Sequence, residues 1–122
     1  MAFSEKLVTI SGQAAADLSA RQYRFVKQNS AGQYAVATAG AEVDGITQND
    51  PAAQGRALTV GVGGISKLEL GGTVDEGQYV AAGSNGVGVA AASADFVGAK
   101  ARTSGVSGDF IAVEIMTQWG RL

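Results

Sequence analysis

Short runs of alternating apolar and polar residues, broken by glycine-rich turns, fill most of this chain. Leu58, Val60 and Val62 alternate with Thr59, Gly61 and Gly63, and Ile111, Val113 and Ile115 alternate with Ala112, Glu114 and Met116. A period of two with β-branched residues on one face predicts half-buried strands. Tyr23–Lys27 and Gln33–Ala37 flank Asn29-Ser30-Ala31-Gly32 at hairpin distance, and Asn and Gly supply turn conformations that other residues resist. Further strands are predicted at Leu7–Ile10, Ile65–Leu70, Tyr79–Ala81 and Val87–Ala90, with turns at Asn49-Asp50-Pro51, Gly71-Gly72 and Ser84-Asn85-Gly86. Turn signals about every ten residues favour a sandwich or small barrel. Gln13–Ala20 breaks the pattern. It is Ala-rich and lacks β-branched residues, and reads as a helical turn or an irregular segment.

The pattern also repeats weakly. A shift of 53 residues sets Leu58 on Ile111, Val60 on Val113, Val62 on Ile115 and Gly55 on Gly108. The shared order of hairpin, glycine turn, loop and alternating strand predicts two similar halves, about 21–70 and 71–119, closing on one core. Residues 1–20 read as an N-terminal arm and 21–122 as a single β domain. Arms of this kind often pack on a neighbouring subunit.

Composition narrows the function classes. The 122 residues include 18 glycines and one proline, which does not suit a helical bundle. A chain of this length buries roughly two-thirds of its unfolded surface, enough for one modest core. There is no Cys and no His. That removes disulfides, thiolate nucleophiles, Cys-ligated metals and the usual general base near neutral pH. Most hydrolytic triads and catalytic zinc sites are thereby excluded, and the chain reads as not an enzyme, with no cofactor. The net charge is −2 with no block of like charge, so the footprint of a duplex nucleic-acid binder is missing. Charged residues are only 16% of the chain, where about a quarter is usual. A surface so poor in charge suggests that part of it is covered in use. Met1–Ile10 contains Glu5 and Lys6 and has no continuous apolar stretch, so it does not read as a secretory signal. No stretch is long enough to span a bilayer.

Several local motifs invite a sharper chemistry. Gly61-Val62-Gly63-Gly64 has the look of a phosphate loop, but Ile65–Leu70 after it reads as strand where a helix is required. A strand with a bulge or a close backbone approach fits better. Asp75-Glu76-Gly77 and Glu42-Val43-Asp44-Gly45 lack the ligand spacing of a calcium loop and read as solvated turns. Tyr23 and Phe25 on one strand face would suit base stacking in a single-strand binder, but core packing is the simpler reading. At the ends, Phe3 and Trp119-Gly120-Arg121-Leu122 have the composition of interface anchors, with Trp119 equally able to cap the chain's own core.

One stretch is more specific. Ala15-Ala16-Asp17-Leu18-Ser19-Ala20-Arg21-Gln22-Tyr23-Arg24-Phe25-Val26-Lys27 resembles the opening of phage capsid cement (decoration) proteins, in which an Ala-Ala-Asp-Leu-Ser-Ala arm leads into an aromatic strand. The Asn-x-x-Gly turn, Gly45-Ile46-Thr47-Gln48-Asn49, the Pro51–Gly55 loop and the strands at Ala57–Gly63 and Asp109–Ile115 extend the likeness to about residues 14–116. The resemblance implies an all-β fold, a small β-barrel or β-tulip/sandwich. It implies a homo-trimer or homo-dimer on the outer capsid surface of the virion, made in the host cytoplasm. The partner it implies is the phage major capsid protein, with no nucleic acid and no membrane, and it carries no catalytic residue. The expected interface residues are Phe3, Leu7, Val8, Ile10 and Leu18 in the arm, with Trp119 and Arg121 at the C-terminus. The competing reading is a small β-barrel that binds carbohydrate or single-stranded nucleic acid.

Overall fold

The computed structural model describes residues 7–51 and 53–121. Nine strands form one antiparallel sheet curled into a half-barrel, with no α-helix among the described residues. They are β1 (Leu7–Gln13), β2 (Phe25–Gln28), β3 (Tyr34–Val36), β4 (Gly45–Thr47), β5 (Ala57–Glu69), β6 (Tyr79–Ala82), β7 (Gly88–Ala90), β8 (Phe96–Ala101) and β9 (Phe110–Arg121). The all-β class expected from the alternating pattern is thus the class observed.

The strand order is β3-β2-β4-β5-β9-β8-β6-β7, with β1 beside β5. The order reads alike from both ends: a hairpin, a short strand, then a long strand at the centre. Backbone hydrogen bonds recur at matched positions. Ala15 N donates to Tyr34 O as Gly71 N does to Gly88 O, and Leu18 N to Pro51 O as Val74 N does to Gly105 O. Tyr23 N donates to Thr47 O as Gly77 N does to Ala101 O, and Ala37 N to Phe25 O as Ala91 N does to Tyr79 O.

These matches give the long strand β5 two jobs. Its first half pairs with β1, from Ala57 opposite Gln13 to Gly64 opposite Leu7. Its second half pairs with β9, from Ile65 opposite Glu114 to Glu69 opposite Phe110. β1 therefore stands to β5 as the second half of β5 stands to β9. The expected arm of residues 1–20 is corrected over its described part: Leu7–Gln13 is a strand of the chain's own sheet, and the residues after it pack inward. Ala14 and Leu18 are buried with Val26, Tyr34, Leu58 and Val60. Gln13–Ala20 forms no helix. Its turn is closed by Asp17, whose carboxylate accepts from the Ser19 hydroxyl at 2.6 Å and the Ser19 amide at 2.8 Å.

The larger core gathers Phe25, Val43, Ile46, Leu68, Leu70, Val74, Val80, Ile111 and Val113 from both sides of the sheet. Each such side chain contributes about 1.5–3 kcal/mol by leaving water. Close packing leaves no room for side chains at several glycines. A Cβ on Gly45 would lie 2.4 Å from the Gly61 carbonyl, and one on Gly98 would lie 2.7 Å from the Phe25 ring. The Gly61–Gly64 run is strand, as the Ile65–Leu70 pattern implied. The register between β1 and β5 shifts there, with Val8 opposite Gly63 and Thr9 opposite Gly61. That leaves Val62 as the extra residue of a β-bulge.

Tyr23 differs from expectation. It sits outside β2 with φ of 62°, in the matched position where Gly77 has φ of 87°. Its amide is drawn to Thr47 O, which turns the chain before the strand starts at Phe25. The aromatic side chain is half-buried rather than part of the core.

Candidate functional site

Phe110 begins β9, and the inward alternation of Ile111, Val113 and Ile115 turns it outward. It is 54% exposed, as is Val106 in the preceding turn. The Tyr23 ring meets Phe110 edge-on, with centroids 5.9 Å apart and planes at 81°. Lys67, on β5, holds its ammonium 5.8 Å from the Tyr23 centroid. These three residues line an open groove of about 420 Å³ together with Leu7, Gln48, Ile65, Ser66, Thr103, Ile111 and Ala112. The lining includes a cation and aromatic rings and no carboxylate.

Ser66, the groove's best-placed hydroxyl, donates to Lys67 O at 2.9 Å and receives Gln48 Nε2 at 2.9 Å. That hydroxyl is engaged in holding neighbouring strands. A groove with rings, an aliphatic floor and one ammonium suits an apolar side chain with a neighbouring carboxylate. Elsewhere several acids tie down backbone amides. Asp44 Oδ2 accepts from Gln28 N at 2.7 Å and Asp109 Oδ2 from Val106 N at 2.9 Å. Among the described residues no three carboxylates come together in a way that could hold a metal ion. No buried side-chain polar atom among them lacks a partner.

One ion pair ties the molecule across its middle. Arg24 is 8% exposed. Its Nε and Nη2 reach Glu69 Oε1 at 3.1 and 3.0 Å, and its Nη1 donates to Asn85 O at 3.0 Å. This links the start of β2, the end of β5 and the turn between β6 and β7.

The structure separates the residues expected at an interface. Val8 is 58% exposed and Ile10 41% exposed, both on β1. Leu7 is half-buried, packs on the larger core and lines the groove. Leu18 is corrected: at 3% exposure it belongs to the chain's own core, because its amide bond to Pro51 O pulls the segment inward. Phe3 lies outside the described residues. Trp119 and Arg121 contribute backbone to β9, with Arg121 opposite Phe96, and their side chains lie outside the described residues. Sequence reasoning missed Phe110, Val106 and Lys67. The signal for Phe110 was present, since an aromatic residue one step before an inward-facing series must face out.

The fold and this surface define an all-β module with a groove lined by aromatic rings. No protein-family model and no curated protein matches the chain. Among solved structures it is similar to the crystal structure of the head fiber gp8.5 N base in bacteriophage phi29, with a TM-score of 0.73 and 16% identity, covering 96% of this chain and 98% of that one. At that identity the likeness is one of fold. No helix among the described residues is long and apolar enough to cross a membrane.

Proposed function

We propose that this chain is a structural protein of a phage head, carried on the outer capsid surface, where it acts as a decoration protein. In this reading it binds the assembled shell and strengthens contacts between major capsid protein subunits. The observation that supports it most is the fold likeness to a phage head fibre base over nearly the whole of both chains. The surface is consistent with the role. A decoration protein works by contact area, and many modest contacts on a repeating lattice add through multivalency. Binding the assembled shell and not free subunits stabilises the shell by mass action. The groove of Tyr23, Lys67 and Phe110 is the proposed seat for a capsid loop carrying an apolar residue beside a carboxylate.

The test is to mix purified protein with shells that lack it, pellet the particles, locate bound protein by electron microscopy and heat the particles. Saturable density at fixed lattice positions and a raised disruption temperature are expected. Absence of bound protein on every shell tested refutes the proposal. The same fold likeness favours one neighbouring reading, the anchoring base of a longer appendage. Bound protein that leaves the disruption temperature unchanged would favour that reading over cement.

A further inference from the structure

Sheet edges are where this molecule is unequal. The two strands that end the main order, β3 and β7, are three residues each. Short edges are poor templates for pairing with another chain. β1 has seven residues, Leu-Val-Thr-Ile-Ser-Gly-Gln, with no charge and no proline. Among the described residues it pairs with β5 on one side only. At its end an isolated bridge joins Ala14 to Tyr34. The direction of its backbone groups follows from the bonds around it. Ala14 N donates to Arg56 O, toward β5, and Ala15 N to Tyr34 O, away from it. Alternation along the strand then turns the amides and carbonyls of Thr9 and Ser11 to the side away from β5. The side chains of Val8, Thr9, Ile10 and Ser11 are all exposed, on both faces of the strand.

The second half of β5 is an internal control, because it holds the matched position. Where β1 has Ser11 and Gln13, it has Lys67 and Glu69. Its outer edge is covered as well, since Glu69 N donates to Tyr23 O at 2.9 Å. One position is thus guarded by charge and capped; its counterpart carries no charge and, among the described residues, no such cap.

We propose that the free edge of β1 joins a second copy of this chain, β1 pairing antiparallel with β1 about a two-fold axis. The strand is complementary to itself. A register centred on Ile10 sets Ile10 against Ile10 of the partner subunit, Thr9 against Ser11 and Val8 against Gly12. Apolar residues meet apolar ones or a glycine, hydroxyls meet hydroxyls, and no charge meets its like. The two half-barrels become continuous through β5-β1-β1-β5. This goes beyond the proposed role on a shell and stands or falls separately from it, since the experiment needs no capsid.

Sedimentation equilibrium of the purified full chain over a range of concentrations tests it. A monomer–dimer equilibrium is expected, with its dissociation constant raised at least tenfold by Ile10→Lys. Ser11→Pro gives a second handle, because it removes an amide that points away from β5 and spares the bonds to β5. It should weaken the dimer to the same degree, with far-UV circular dichroism unchanged in both variants. A chain that stays monomeric at high micromolar concentration overturns the proposal. So does an oligomer that neither substitution weakens.

Discussion

Replacing Glu69 with Ala removes the carboxylate partner of Arg24 and leaves the guanidinium with one hydrogen bond, to Asn85 O at 3.0 Å. The Arg24 side chain is 10% exposed and that of Glu69 is 23% exposed. Breaking a fully buried pair costs about 3–5 kcal/mol, because one charge stays buried without compensation. An exposed pair is worth about 0–1 kcal/mol. A pair buried on one side and partly wet on the other falls between, so the cost of Glu69→Ala is about 2–3 kcal/mol. At roughly 4 °C per kcal/mol for a domain of this size, the melting temperature should fall by about 8–12 °C. Urea denaturation followed by far-UV circular dichroism measures the loss directly. A second variant separates lost attraction from stranded charge. Arg24→Met with Glu69→Leu removes both charges and keeps the volume, and should lie within about 1 kcal/mol of the parent. The residual cost is the unpaired Asn85 carbonyl. A Glu69→Ala protein within 0.5 kcal/mol of the parent, in a transition this assay resolves to about that level, would refute the reasoning. So would a double variant as unstable as the single one.

Three further outcomes are expected. Gly98→Ala should cost about 1–3 kcal/mol by thermal unfolding, because its Cβ would lie within 3 Å of both the Phe25 ring and Val43; adding Phe25→Leu should recover part of the loss. Ser19→Ala should raise the Asp17 pKa, which the Ser19 hydroxyl and amide now hold below the ordinary aspartate value. Because the folded pKa is depressed, the stability linked to this turn is present above the unfolded value and lost as pH falls through the folded one, and a carboxyl NMR titration reads the change. Phe110→Ser should leave the unfolding transition within about 1 kcal/mol of the parent, since the ring is half exposed. If the groove is the capsid seat, the same substitution should weaken shell binding about thirtyfold, in the range of an aromatic hot spot; undiminished binding would remove the groove from the interface.

The strands were legible in the sequence where alternation was clean. Leu58-Val60 and Ile111-Val113-Ile115 bury the residues that the period of two selects. The hairpin turn at Asn29–Gly32 was legible from its chemistry, and Asn29 Oδ1 indeed accepts from Ala31 N and Gln33 N. Tyr23 was misread because strand preference is a weak local signal. A tertiary bond to Thr47 O and the need for a left-handed turn override it. Ala14 and Leu18 were misread because an Ala-rich stretch without periodicity says nothing about what will cover it. Their burial depends on Tyr34, Val26 and Leu58, distant in sequence. The groove was hidden for the same reason. Tyr23, Lys67 and Phe110 come from three separate segments, and no spacing along one segment encodes their meeting.

The matched halves sharpen what the surface means. β1 and the second half of β5 make matched backbone hydrogen bonds just past their ends, but the bond from Glu69 N to Tyr23 O has no counterpart on β1 among the described residues. Nor do the two stretches carry the same residues. The second half of β5 has Lys67 and Glu69 at its edge, while β1 keeps Val8 and Ile10 exposed on an uncharged strand. Exposed apolar area gives up about 25 cal/mol per Å² that burial would supply, and an uncharged edge invites non-specific pairing. Folding accounts for Glu69, which pairs with Arg24, and for Lys67, which lies over Tyr23; the exposed apolar residues of β1 are the ones the proposed self-association would use. The consequence is a division of effects by depth. Substitutions at Phe25, Ile46 or Leu68, which are fully buried, should lower stability and abolish every association in proportion to the unfolded fraction. If Ile10 serves the proposed self-association and Phe110 the proposed shell contact, substitutions there should leave stability nearly untouched and each remove one of these alone.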